Sequence, residues 1–237
     1  MKFTIGGINI EVQKKDIKNL HLYVKPPNGK VVISAPLTMD DKAIEMFARV
    51  NLRWIRKQIS EYEEQPRFDK RQYISGECLY IWGKQYFLTF IENRSKNSFQ
   101  IQGNKVILSM RAESTVEQRE RYVREQYRAM LEIEIKRLLP RWEELTEIHC
   151  DSWQTKYMIT KWGTCNIDKK KIWFNLQLAQ KPIECLEYVI LHELIHLKER
   201  SHNSLFCSYM DLYMPNWREV RKSLNNSKLD HYVSVKN

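Results

Sequence analysis

Glycine and proline are scarce in this chain, at seven each in 237 residues. That excludes collagen-like and low-complexity architectures and argues against long flexible linkers. Long apolar runs are also missing. No stretch of about 18 apolar residues is present to span a bilayer. The start, Met1-Lys2-Phe3-Thr4-Ile5-Gly6-Gly7, lacks the apolar core of a signal peptide. The expectation is a soluble cytoplasmic protein with no membrane partner. Five cysteines occur (Cys78, Cys150, Cys165, Cys185, Cys207), with no CxxC pair among them. Free thiols are expected rather than a disulfide framework or a cysteine metal cage. No repeat recurs at a solenoid period. An acidic surplus is absent too, because the net charge is +10. Residues 1–110 hold 18 Lys and Arg against 11 Asp and Glu, and residues 111–237 hold 21 against 18. A basic surface can attract nucleic acid. Yet no long basic run exists, and Trp54, Tyr80, Trp82 and Tyr86 suit sheet packing. A solvated basic face is therefore preferred over nucleic-acid contact.

What is present is an ordinary hydrophobic content of 43%, in a chain long enough for one large or two small domains. Residues 3–5 and 8–12 read as strands around Gly6-Gly7, a hairpin signal. Residues 20–24 and 31–33 flank a second turn at Pro26-Pro27-Asn28-Gly29. His21 alternates with apolar neighbours and reads as an outward strand residue, not a ligand. From residue 40 to about 64, Ile44, Phe47, Ala48, Leu52, Ile55 and Ile59 recur at helical spacing. Residues 76–110 return to short strands. The chain is read as α+β, with a mainly antiparallel β domain carrying a helix over residues 1–112. A second domain would occupy 113–237. It opens with a charged amphipathic helix from 114 to about 145, which Pro140 should kink or end. Strands are expected at 155–161 and 171–178, with Lys169-Lys170-Lys171 in an exposed turn between them. Helices are expected at 205–212 and 217–224. The tail from Asn225 should fray, which makes His231 a poor ligand.

One segment carries chemistry. Residues 192–196 read His-Glu-Leu-Ile-His, the HExxH pattern. Residues four apart share a helix face, so His192 and His196 can both point at one metal ion. Glu193 beside them is placed to act as general base on water. The surrounding residues, Leu186, Val189, Ile190, Leu191, Leu194 and Ile195, are apolar on nearly all sides, as in a buried helix. Unpartnered polar groups there would cost roughly 2–7 kcal/mol each, which favours a metal over a chance pattern. A catalytic zinc takes a third protein ligand. His202 can supply it only if the helix ends near Arg200 or Ser201, because at about 100° per residue a continuing helix carries it away. Ser201-His202-Asn203-Ser204 has turn-forming composition. Glu219 ranks second, and Glu199, about 10 Å of helix rise from His192, ranks third. Cys165 is read as a small side chain holding its loop rather than a ligand.

Trp162-Gly163-Thr164-Cys165, Phe174-Asn175-Leu176, residues 186–197, His202-Asn203-Ser204-Leu205-Phe206 and Met214-Pro215 together resemble the YgjP-like branch of the SprT-type zinc metallopeptidases. In the first half, residues 51–55 and 76–83 resemble that branch too. Thr164 departs from the usual serine of the Trp-Gly-Ser-Cys segment. The resemblance implies a minimal zincin-like domain after the first one, with Zn2+ held by His192, His196 and His202 and Glu193 as catalytic base. The metzincin pattern has the same spacing to its third histidine, but it needs glycine where this chain has Glu199.

The implied activity is hydrolysis of protein or peptide substrates. An extended substrate could pair with the strand near Trp173-Phe174-Asn175. The oxyanion donor stays open, with Tyr209, Tyr213 and Trp162 as candidates. Two alternatives stay open as well. Relatives of this kind are also described as nucleotide pyrophosphatases, but no Gly-rich phosphate cradle or second carboxylate cluster is present. A non-catalytic zinc-stabilised binding module is disfavoured, because a structural site normally closes its fourth position.

Overall fold

The computed structural model of the chain describes residues 2–25, 29–63 and 71–226. They fall into two compact units, divided at 69/70. In the first, the strands are β1 (Lys2–Ile5), β2 (Ile8–Lys15), β3 (His21–Lys25) and β4 (Lys30–Pro36), in the order β1-β2-β4-β3. Gly6 and Gly7 both have positive φ, 57° and 82°, which is why the two-residue hairpin falls there. The outer pairs are antiparallel, and the central pair, β2 with β4, is parallel. The helical segment is two helices, α1 (Asp41–Val50) and α2 (Leu52–Glu63). Ile10, Val31 and Ile33 bury against Ile44, Ala48 and Ile55. His21 is exposed and stacks on Tyr23. Of the turn expected at 26–29, Gly29 is described, with φ 62°, while residues 26–28 and the tail with His231 lie outside the described residues.

The second unit repeats that sheet order. Strands β5 (Cys78–Ile81), β6 (Lys84–Glu92), β7 (Ser98–Gln102) and β8 (Lys105–Met110) run β5-β6-β8-β7, again with a parallel central pair. Helix α3 (Val116–Thr146) starts at a capping box between Thr115 and Gln118. It runs through Pro140, where a kink or an end was expected. Pro140 is exposed, while Ile135, Leu138, Leu139 and Trp142 keep the inner face of the helix in the core. Packing on that face outweighs one missing backbone hydrogen bond.

A third sheet follows, of β9 (Ser152–Lys156), β10 (Gly163–Asn166) and β11 (Lys171–Asn175) in the order β10-β11-β9. Of the strand expected at 155–161, only Thr155 and Lys156 are strand, as the end of β9, and 157–161 are loop; the strand expected at 171–178 is β11 followed by a 3-10 turn. After a 3-10 turn (Leu176–Gln180) come α4 (Ile183–His196), α5 (Ser204–Tyr213) and α6 (Trp217–Asn226).

The unit boundary also differs from the one expected between 112 and 113. Leu79, Ile81, Leu88, Val106 and Leu108 of the second sheet share one core with Leu131 and Ile135 of α3 and Leu186, Ile190 and Leu194 of α4. The backbone agrees, since Trp82 N–H donates to the Ala179 carbonyl at 2.9 Å and Gly83 N–H to that of Gln180 at 3.2 Å. Strands that read as part of the first domain therefore buttress the entry to α4. Sheets and helices coexist in both units, and the fold is α+β. Among the described residues, no helix is long and apolar enough to cross a membrane.

Candidate metal centre

Helix α4 is buried along nearly its whole length, from Cys185 and Leu186 to Leu194 and Ile195. Its i, i+4 spacing brings His192 and His196 side by side, with Nε2 atoms 3.1 Å apart. The helix stops at His196, a few residues before the expected break. Residues 197–201 form a turn, in which the Glu199 carboxylate accepts from Ser201 N–H at 3.0 Å. Asn203 then caps α5, its side chain accepting from Phe206 N–H at 3.0 Å. The chain reversal returns His202, whose Nε2 lies 3.1 Å from that of His196 and 3.1 Å from that of His192. Phe206, fully buried, packs on all three imidazoles, with centroids 4.8–5.0 Å away.

Three imidazole nitrogens on a triangle of this size cannot satisfy one another. His196 Nδ1 lies 3.1 Å from the Glu199 carbonyl, which can only accept, so that nitrogen carries the proton and Nε2 holds a bare lone pair. His192 Nδ1 faces the Tyr188 hydroxyl at 3.4 Å. Burial first, then the charges of His196 and His202, pulls His192 down to about 3, so its ring stays neutral. Converging lone pairs repel unless a cation sits between them. One point can lie about 2.0–2.1 Å from all three nitrogens, the distance zinc takes to histidine. The donor set therefore fits a divalent metal. Among the described residues, these three are the group of His, Cys, Asp and Glu side chains close enough to hold one. Glu219 and Cys165 are not in it. Glu199 supplies a carbonyl to His196 instead of a carboxylate to the metal.

Glu193 is buried beside the triad at 5% exposure. Among the described residues its carboxylate accepts no hydrogen bond. Burial pushes it up to about 8, against the pull of Lys161. Strand β10 passes so close that a Cβ on Gly163 would lie 2.6 Å from Glu193 Oε1 and 2.8 Å from Val189 Cγ1. Only glycine lets the strand and the carboxylate share that space. Cys165, on the same strand, is half-buried and raised to about 11 by burial and then by the charge of Glu193.

Asn175 was not legible as a supporting residue. It is fully buried at the end of β11. Its Nδ2 donates to the carbonyls of Met158 at 2.9 Å and Lys161 at 2.7 Å, and its Oδ1 accepts from Gln177 N–H at 3.1 Å. It thereby pins the loop that leads into β10. A polar residue closing an apolar strand was the available signal.

The triad and Glu193 line a cleft of about 620 Å³ walled by β10 and its flanks, Tyr188, Arg200 and Arg221. Trp162 lines it, whereas Tyr209 and Tyr213 do not. A larger hollow of about 1110 Å³, between Arg94 and Glu125, lies away from the triad. Strand β11, expected to receive an extended substrate, is the central strand and is paired on both sides. The strand along the cleft is β10, which pairs with β11 alone among the described strands.

No curated protein matches the chain. Solved structures resemble part of it, two of them metallopeptidase zymogens. The metallopeptidase zymogen of Pyrococcus abyssi abylysin is 16% identical, with 39% of this chain and 92% of that chain covered and a TM-score of 0.37. The metallopeptidase zymogen of Methanocaldococcus jannaschii jannalysin is 24% identical, covering 39% and 94%, with a TM-score of 0.35. Most of the chain, residues 18–227, matches the YgjP-like metallopeptidase domain, and the protein belongs to that family.

Proposed function

We propose that this metallopeptidase-family protein is a zinc-dependent peptidase in which His192, His196 and His202 hold the metal and Glu193 is the general base. The observation that carries the reading is the convergence of three Nε2 atoms at 3.1 Å beside a buried, unpartnered carboxylate. Bound zinc supplies a Lewis acid that lowers the pKa of water from 15.7 towards about 7. Glu193 takes the proton of the attacking water and returns it to the departing amine. In the metal-free site burial raises this carboxyl to about 8, and a bound cation would draw it down towards the base form that takes the proton. The free edge of β10 offers backbone groups to an extended peptide, which would lie across the triad. Tyr188 and Glu199 hold the two helix histidines through their Nδ1 atoms, leaving Nε2 for the metal.

The test is Glu193→Gln in zinc-loaded full-length protein, assayed on a peptide library. Peptide hydrolysis is expected to fall by about 10²–10⁴-fold, with bound zinc by elemental analysis unchanged. Full activity in that variant would remove Glu193 from the chemistry.

A further inference from the structure

The charges around the cleft are mostly of one sign. Lys161, Arg200 and Arg221 line it, against the single exposed acid Asp168 and the buried Glu193. The three cations come from separate segments: the loop into β10, the turn after α4, and helix α6. All three are exposed, and none has an ion-pair partner among the described residues. Elsewhere among the described residues some basic side chains are paired, as in Lys30 with Glu11, Arg124 with Glu120 and Arg218 with Asp211, and others are not; what sets these three apart is that they line the same cleft. Arg221 is near enough to act on the charge of His192 and Tyr188, and Lys161 on that of Glu193. All three cations line the cleft that holds the triad and Glu193.

Like charges at one cleft repel one another; the Trp217 ring, 6.0 Å from Arg221, offsets this only in part, and an incoming anion would supply the rest. Low-dielectric walls focus such a field, and the planar guanidinium forks of Arg200 and Arg221 match a carboxylate. We infer that the cleft selects peptides carrying a carboxylate beside the scissile bond, read by Lys161, Arg200 and Arg221. The inference rests on the peptidase reading and names its substrate class. The carboxylate is either an Asp or Glu side chain or the free end of the substrate chain, and both present the same group.

The test uses zinc-loaded full-length protein and four fluorogenic peptides of equal length. Three have amidated ends and acidic, neutral or basic residues around one bond, and the fourth is neutral with a free C-terminus. The acidic or the free-ended peptide is expected to exceed the neutral amidated one in kcat/KM by about tenfold, with the ratio collapsing as salt is raised. Which of the two is preferred identifies the source of the carboxylate. Arg221→Glu with Lys161→Glu should bring the ratio to one or below, and the milder Arg221→Gln should reduce it in part. Lys105→Glu, outside the cleft, should leave it intact. Thermal unfolding reports whether each variant is folded.

Binding of a labelled acidic peptide to Glu193→Gln, read by fluorescence anisotropy, gives the preference without turnover. Equal kcat/KM for all four peptides, or a ratio untouched by charge reversal, overturns the inference and leaves the peptidase reading standing. No cleavage of any peptide, with salt-sensitive acidic binding retained, defeats the peptidase reading and keeps the carboxylate selection. Hydrolysis of a nucleoside triphosphate that also displaces the peptide overturns the inference in favour of phosphate.

Discussion

Gly163 and Glu193 share one space, and that contact is the tightest constraint on the chemistry. A methyl group at 163 would stand 2.6 Å from Glu193 Oε1. Gly163→Ala must therefore displace either the carboxylate or β10. Peptidase activity should fall by about 10²-fold, the usual effect of an ångström-scale misplacement, while zinc content stays at one per chain. The same carboxylate makes stability depend on pH in metal-free protein. Its pKa is about 4.5 when unfolded and about 8 when folded. Stability is thus fully present below about 4.5 and is lost as pH rises towards about 8. In metal-stripped samples, Glu193→Gln should be more stable than wild type at pH 8 by an amount of the order of a few kcal/mol. The advantage should vanish near pH 4.5, as read from denaturant midpoints. Of these residues, His192, Glu193, His196 and His202 were legible in the sequence because their spacing is local. Gly163 and Asn175, and Phe206 through His192 and His196, act on neighbours distant in sequence, so their positions alone carried no role.

At the scale of elements, the decisive feature is the stop of α4 and the start of α5. The third nitrogen reaches the other two only because the helix ends at His196 and a capped helix begins after Asn203. Asn203→Ala should cost about 1 kcal/mol of stability. It should also weaken zinc binding by about tenfold, measured by competition with a chelating dye, because His202 adjoins the cap. An unchanged zinc affinity would mean that the turn, not the cap, holds His202. Helix periodicity was readable in α1 to α6, and hairpin glycines located the β1–β2 turn. In the third sheet β11 was readable and β9 only at its end, whereas β10 was not, because it is four residues long and defined by its pairing with β11. Which strand is central also depends on pairing, and this is why the edge proposed to receive a peptide is β10 rather than β11.

For the whole molecule, a metal held by the proposed triad would join the end of α4 to the turn before α5 and should stabilise the second unit. Zinc at about 100 times its Kd adds about 2.7 kcal/mol, or roughly 5–10 °C in Tm for a unit of this size. Calorimetry with zinc and with a chelator should show the shift, and identical melts would count against a metal at the triad. The two units share a sheet order that no sequence period announced, since topology survives when side chains do not.

The sequence by itself determined the helix that carries HExxH, the histidine pair on one face, the apolar helix faces and the α+β class. Each depends on residues a few positions apart, where backbone geometry sets the distances. Tertiary structure alone decided that β5 to β8 belong with the metal domain, that Gly163 must admit Glu193, and that Lys161, Arg200 and Arg221 meet at one cleft. Those contacts join segments far apart in the chain, and only burial of a common core brings them together.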